Sequence, residues 1–229
     1  MSLHDFSFIS LGLILGIRHA FDPDHLAAVS TIVTEGGGLK HAARVGLLWG
    51  LGHTATLLVA GVAALLFSLS ISAWMSTAME TVVGFMLIGL GLRALLARRE
   101  AHGHTHEQGS DHHHSHAGPG FGSGGISLRP LAIGVVHGLA GSGALTFLVL
   151  TRAPSLSVGV IYILLFGVGT MVAMVGVSVG LALPFTFGRW SVTGPFRHLS
   201  RVAGVVSVLL GLTMVGEMGY SLLTSIQVL

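Results

Sequence analysis

The sequence predicts an all-α integral membrane protein whose six transmembrane helices form an inverted three-plus-three repeat with broken helices 1 and 4. Three observations support this fold class: an apolar composition, six segments long enough to span a bilayer, and an internal repeat. Hydrophobic residues make up 52% of the 229 residues and charged residues only 9%, and the mean hydropathy is +0.83. Because soluble domains carry about a quarter charged residues, this chain cannot cover a surface that faces water.

The six apolar segments have about the length of 20 residues that a spanning helix needs. They cover about residues 6–32, 43–69, 78–98, 128–150, 157–183 and 202–226. So little sequence lies outside them that residues 1–229 are expected to form one membrane domain. No secretory signal peptide is expected, because the first segment lacks a basic start and a cleavage site.

Lysines and arginines are distributed unequally between the two sides of this topology. One side has Arg152 alone, and Arg18 lies inside the first span. The other side has nine, namely Lys40, Arg44, Arg93, Arg98, Arg99, Arg129, Arg189, Arg197 and Arg201. Because cytoplasmic loops are enriched in these residues, we expect both termini outside the cytoplasm and the loop of about 99–127 inside it. The expected location is the inner (plasma) membrane of a bacterium or archaeon.

Three stretches of the first half recur in the same order in the second half. The pairs are GIRHAFDPDHL (16–26) with GVVHGLAGSGA (134–144), LLWGLGHT (47–54) with LLFGVGTM (164–171), and VVGFMLIGLGL (82–92) with VAGVVSVLLGL (202–212). The offsets of 118, 117 and 120 residues are nearly constant. Repeat 1 then covers about 6–98 and repeat 2 about 128–226. Because each half holds three spans, an odd number, the second half crosses the membrane in the opposite sense.

The predicted helix breaks fall at corresponding places in the two halves. Pro23 breaks the first helix, whereas Gly138, Gly141 and Gly143 loosen the fourth. Secondary transporters with inverted repeats bind their substrates near the midplane, where corresponding helices are interrupted. The pattern therefore favours transport.

The stretch RHAFDPDH places unusual charge inside the first span. Each ionised side chain near the bilayer centre costs about 2.5–3.5 kcal/mol. Arg18 and Asp22 are four residues apart, so in a continuous helix they would pair and balance each other's charge. That pairing leaves His19, Asp24 and His25 unexplained.

Imidazole nitrogen with carboxylate oxygen and no sulfur suits nickel, cobalt, zinc or copper. Pro23 interrupts the helix, which would let His19 and His25 converge although they are six residues apart. The predicted metal ligands are therefore His19, Asp24 and His25, with Asp22 beside them. In the alternative interpretation the helix ends at the cytoplasmic interface and the two aspartates are simply hydrated.

Three further ionisable residues lie within the spans. His53 in the second span is expected to be a ligand or to support one. His137 occupies the repeat position of His19 and is expected on the metal pathway. Glu217 in the sixth span has three possible roles, as a proton carrier, as a partner of Arg18 or as the lining of a hydrated cavity.

Two further metal-binding sites are predicted outside the spans. The low-complexity loop between the halves is predicted to be a metal buffer or delivery patch, with a polar spacer as the alternative. Its seven histidines are His102, His104, His106, His112, His113, His114 and His116. If Met1 is removed, the free amine, two backbone amides and His4 would offer a square-planar site suited to nickel or copper.

Composition argues against several functional classes. The formal net charge of +2 comes from scattered loop arginines, so nucleic-acid binding is not expected. The absence of cysteine excludes disulfides and thiolate metal sites. The chain has no nucleotide-binding loop and no evident nucleophile beside a base, so neither an enzyme nor a cofactor is expected.

These motifs resemble those of the nickel/cobalt transporter (NiCoT) family. The helix signature of that family is His, four residues and Asp-His, and RHAFDPDH is similar to it through His19, Asp24 and His25. Its next motif resembles LGHTAT, which contains His53. HGLAGSGAL is similar to the corresponding motif of the smaller urease-accessory-type branch of the family. The first signature departs from the usual family pattern at one position, where Pro23 replaces an alanine.

The resemblance implies a secondary transporter of nickel, with cobalt next, and uptake into the cytoplasm is the expected direction. Ni²⁺ or Co²⁺ would be the cargo, and the lipid bilayer, cytosolic nickel chaperones or urease-type enzymes would be partners. Two alternatives remain open. One is an efflux transporter that loads from the histidine-rich loop, and the other is a membrane accessory protein that hands metal to an enzyme such as urease.

Overall fold

The apolar segments fold into helices throughout the part of the chain that the computed structural model describes. These residues are 3–34, 38–67, 72–96, 127–138, 152–187 and 193–227. Within them the seven helices are α1 (Leu3–His19), α2 (Pro23–Val33), α3 (Leu39–Phe67), α4 (Ala73–Leu96), α5 (Arg129–Gly138), α6 (Leu156–Phe187) and α7 (Thr193–Gln227). No strand occurs in these ranges, so the all-α prediction is confirmed there.

Four helices, α3, α4, α6 and α7, are long and apolar enough to cross a bilayer. They correspond to the predicted second, third, fifth and sixth spans. Many of their large apolar side chains are exposed, for example Val59, Phe85 and Leu209, which suits contact with lipid tails. A helix also satisfies its own backbone hydrogen bonds, as the bilayer interior requires. The protein is therefore an integral membrane protein.

The predicted first span consists of two helices. α1 ends at His19 and α2 begins at Pro23, so the predicted break is confirmed. Asp22 has an extended backbone, with φ −61° and ψ 143°, and this residue turns the chain between the helices. Pro23 takes the first position of α2, where its missing N–H leaves no hydrogen bond unmade.

The predicted fourth span begins with α5 and is described only as far as Gly138. Gly141 and Gly143, which the sequence singles out as helix breakers, lie outside the described residues. The predicted interruption of this span beyond Gly138 stays a prediction.

The short helix α2 lies in the interior of the fold. It contacts α3, α4, α6 and α7, and seven of its eleven residues are buried. Its alanines and valines join the core formed with Trp49, Leu87 and Met174. The chain break thus places the first turn of α2, with its polar residues, inside the protein.

Glycines allow α1 to approach α6 closely and α5 to approach α3 closely. A Cβ on Gly16 would collide with the backbone oxygen of Phe166, and a Cβ on Gly134 would collide with that of Trp49. The sequence repeat aligns Gly16 with Gly134 and Trp49 with Phe166. The two contacts therefore correspond residue by residue.

The same correspondence holds where α4 packs on α7. A Cβ on Gly84 would meet the backbone oxygen of Gly211, and one on Gly91 would meet that of Gly204. The repeat aligns Gly84 with Gly204 and Gly91 with Gly211. Exchanging the two halves therefore exchanges these two contacts.

Candidate metal centre

The break between α1 and α2 brings two histidines together. His19 is the last residue of α1, and His25 lies in the first turn of α2. In one continuous helix, residues six apart would point to different faces. Here the ring centroids are 4.4 Å apart, with the planes at 71°, and both side chains are buried. The expected convergence of these two residues is confirmed.

His53 of α3 faces His19 across this break. Their Nε2 atoms are 3.2 Å apart. For metal–nitrogen distances of about 2.0–2.1 Å, two imidazoles on one ion have nitrogens about 2.9–3.4 Å apart. The separation therefore suits two ligands of the same cation. Ligand atoms of His19, His25 and His53 all lie within 4.8 Å of one another.

Asp22 sets the tautomer of His19. Its Oδ2 lies 2.7 Å from the Nδ1 atom of His19. Because a carboxylate only accepts, Nδ1 donates, and in the neutral ring the lone pair is then on Nε2, the atom that faces His53. A carboxylate behind a metal-binding histidine orients the ring and raises its basicity.

A second group forms around the carboxylate of Asp24. Its Oδ2 accepts from Nε2 of His137 at 2.8 Å, and its Oδ1 accepts from Nδ1 of His25 at 3.2 Å. His137 comes from α5, and its ring centroid is 4.1 Å from that of His25. The ligand atoms of Asp24, His25 and His137 also lie within 4.8 Å of one another. His25 therefore belongs to both groups.

Three buried imidazole nitrogens in the described part of the chain have no hydrogen-bond partner. They are Nε2 of His25, Nδ1 of His53 and Nδ1 of His137. In each ring the other nitrogen faces a hydrogen-bond acceptor, so the unpartnered atom holds a lone pair. An unsatisfied buried polar group costs about 1–3 kcal/mol. Their three lone pairs lie in one cluster and could bind a cation.

Trp49 is the residue that sequence reasoning missed. Its ring stacks on His25, with centroids 6.1 Å apart and planes 13° apart, and lies 5.6 Å from the ring of His137. It is fully buried and covers the cluster with an apolar face. The signal was present, because Trp49 precedes His53 by four residues and so lies on the same helix face.

The predicted pair of Arg18 and Asp22 was wrong. Arg18 is exposed, and Asp22 instead contacts His19. The spacing of four residues brings side chains together only within one helix, and α1 ends before Asp22. Glu217 is exposed on α7 and bonds to no described residue, so of its three possible roles the partnership with Arg18 is not seen in the described part of the chain.

The two outlying metal sites cannot be compared with the structure. The loop histidines 102–116 lie outside the described residues, as do residues 1–2 and the side chain of His4. Both predictions stay predictions.

Known proteins with similar sequences point in the same direction as this chemistry. Residues 5–119 match the family model NicO, described as high-affinity nickel-transport protein. The chain is 35% identical over 214 residues to the urease accessory protein UreH of Bacillus sp. (strain TB-90), covering 93% of this chain and 92% of that protein. It is 28% identical over 215 residues to the chloroplast protein FOR GROWTH AND FERTILITY 2 of Arabidopsis thaliana, of whose length it spans 55%. No solved structure matches the chain.

Proposed function

The chain belongs to the NicO family of high-affinity nickel-transport proteins, and we propose that it takes up Ni²⁺ through the buried histidine cluster. It is a membrane transport or accessory protein and not an enzyme. Nickel is the first candidate cargo and cobalt the second, because both suit nitrogen and carboxylate ligands. The observation that supports the proposal best is the set of buried ligand atoms at the break of the first span.

The ligand chemistry supplies what a dehydrated divalent ion needs. We assign His19, His25 and His53 as neutral imidazole ligands and Asp24 as the anionic partner of the site. Asp22 orients His19 from behind. Asp22 and Asp24 are costly in a bilayer when unpaired, and a bound cation would offset their charge.

We propose that the six spans form an inverted three-plus-three repeat within one domain, residues 1–229. The corresponding glycine contacts of α1 with α6 and of α5 with α3 support this arrangement. α1 ends at His19, which the repeat aligns with His137 of α5. In such transporters one half rocks against the other around a fixed site. Access would therefore alternate around the histidine cluster.

The bias of lysines and arginines supports an orientation with both termini outside and the histidine-rich loop in the cytoplasm. In the described part, Lys40 and Arg44 lie near the start of α3, Arg93 near the end of α4 and Arg129 at the start of α5. These helix ends lie on one side of the membrane if each helix crosses it. The loop would then receive arriving nickel and pass it to cytosolic nickel chaperones or urease-type enzymes.

The membrane potential favours the uptake of a cation. A membrane potential that is negative inside contributes about 2.3 kcal/mol per elementary charge per 100 mV, and a divalent ion therefore gains about twice that amount. The potential alone would drive accumulation, without ATP. A coupled ion is not required by this account.

A second candidate is an accessory protein that binds nickel without moving it. The name of one relative, urease accessory protein UreH, favours this function. Full-length protein in liposomes that contain a nickel-sensitive dye separates the two. Under an inside-negative potential, transport predicts an influx of Ni²⁺ with the natural chain and none with His25→Ala. Binding without influx in the natural chain would support the accessory function.

A further inference from the structure

The two ligand groups meet at one histidine. On the basis of the proposed function, we propose that the cluster is two alternative cation positions that share His25, and that a single Ni²⁺ passes between them during transport. Position A is defined by His19, His25 and His53, and position B by Asp24, His25 and His137.

The ligand atoms divide into two groups of three that share only His25. Ligand atoms of one ion are at most about 4.2 Å apart, which is twice the metal–nitrogen distance. Among the described residues, no group of three or more ligand atoms within 4.8 Å of one another contains both His53 and His137. The ring centroids of His53 and His137 are 6.3 Å apart, farther than either ring is from that of His25, so the cluster is better described as two positions.

His25 can serve both positions through different atoms. Its Nδ1 faces Asp24 at 3.2 Å, which is the side of position B. Its Nε2 is buried without a partner and is available to position A. The two ring nitrogens point in different directions. Binding at position A uses the lone pair of Nε2, whereas binding at position B through Nδ1 requires the ring proton to move from Nδ1 to Nε2. Two divalent ions on one imidazole would repel each other strongly in the protein interior, so only one position is occupied at a time.

Each half of the protein supplies one histidine of the repeat to one position. His19 of α1 belongs to position A, and its ring is 5.4 Å from that of Phe166. His137 of α5 belongs to position B, and its ring is 5.6 Å from that of Trp49. The repeat aligns His19 with His137 and Phe166 with Trp49. Movement of the halves against each other would favour one position at the expense of the other.

The two positions differ in their third ligand. The repeat places Thr170 at the counterpart of His53, and its hydroxyl donates to the backbone oxygens of Gly16 and Phe166. Position B therefore has no imidazole that corresponds to His53, and its third ligand is the carboxylate of Asp24. Position A is therefore all nitrogen, whereas position B is mixed nitrogen and oxygen.

The test is a double-mutant cycle for Ni²⁺ affinity. It uses full-length protein in detergent in which His4 and the seven loop histidines are replaced by serine, so that neither of the two predicted outlying sites contributes to the measured binding. His53→Ala removes a ligand of position A, and His137→Ala removes one of position B. If the positions are equally populated, each single variant loses only about twofold in affinity, because the ion moves to the other position.

The affinity of the double variant for Ni²⁺ should fall at least about 100-fold, the upper end of the range for disturbed metal sites. This loss is larger than the product of the losses in the two single variants. A double variant whose loss equals that product overturns the proposal, because a single site or independent sites give that result. His25→Ala separates this failure from a failure of the proposed function, since it should abolish binding under either arrangement.

Cobalt provides a spectroscopic control that does not depend on affinity. The visible spectrum of bound Co²⁺ should change in His53→Ala, where the ion occupies the mixed position B, and should keep its all-nitrogen character in His137→Ala. His137→Gln guards against misfolding, because the amide retains a donor for Asp24 but has no imidazole. Identical Co²⁺ spectra in His53→Ala and His137→Gln would overturn the proposal.

Discussion

The Nε2 atoms of His19 and His53 face each other at 3.2 Å across the break of the first membrane span. Asp22 holds the other nitrogen of His19 at 2.7 Å. His19 lies at the end of α1 and His53 in the middle of α3, so the pair depends on packing between separate helices. This arrangement favours one tautomer of His19.

Replacement of Asp22 by alanine should weaken Ni²⁺ binding about 10–100-fold, because partners of metal-binding histidines contribute to affinity by that amount. The side chain of Asp22 makes no capping hydrogen bond to α2, so helix content should not change. Isothermal titration of Ni²⁺ and circular dichroism measure the two effects. Glu217→Ala, at an exposed acid, is the matched control. Equal affinities of the two variants would contradict the role of Asp22.

His25→Ala should abolish high-affinity Ni²⁺ binding, because His25 belongs to both groups of ligand atoms. The measurement is equilibrium dialysis of full-length protein without the loop histidines. His41→Ala removes an exposed histidine of α3 and should bind as the natural chain does. Unchanged binding in His25→Ala would mean that the ion is held elsewhere.

Gly134→Ala should destabilise the protein by about 1–3 kcal/mol, the range for overpacked interiors. The added Cβ meets the backbone oxygen of Trp49, which cannot move aside as a flexible side chain would. Gly89→Ala is the control, since a Cβ there has nothing within 4 Å and alanine favours the helix. Thermal unfolding in detergent should show a lower midpoint for Gly134→Ala only. Equal midpoints would contradict the close contact of α5 with α3.

Deletion of residues 102–116 should lower nickel capacity more than affinity. Histidine-rich segments of low complexity bind metal loosely, whereas we propose that the tight site is the buried cluster. Titration to high Ni²⁺ concentration measures both quantities in the same sample. A loss of affinity as large as that of His25→Ala would place the main site in the loop instead.

Local physical rules in the sequence predicted the class of fold and the origin of the site. Apolar length indicated the spans, and Pro23 indicated the break, because a proline both lacks a donor and clashes with the preceding turn. From that break followed the convergence of His19 and His25. The ligand role of these residues together with Asp24 remains a proposal.

Contacts between distant segments could not be predicted in this way. The bond between Asp24 of α2 and His137 of α5 joins two residues that lie 113 positions apart in the chain. The pairing of Asp22 with His19 was missed because the position of the helix end, and not the spacing, decides which neighbour Asp22 can reach. Trp49 was missed because its only signal was its spacing of four residues from His53, which marks the helix face but not a contact with His25 or His137.

The most direct measurement is the radioactive nickel content of cells that express the natural chain or His25→Ala at equal levels. The account predicts a higher content with the natural chain, because the intact cluster admits Ni²⁺ along the membrane potential. Equal contents would contradict transport through the cluster, and a lower content with the natural chain would contradict uptake and indicate efflux.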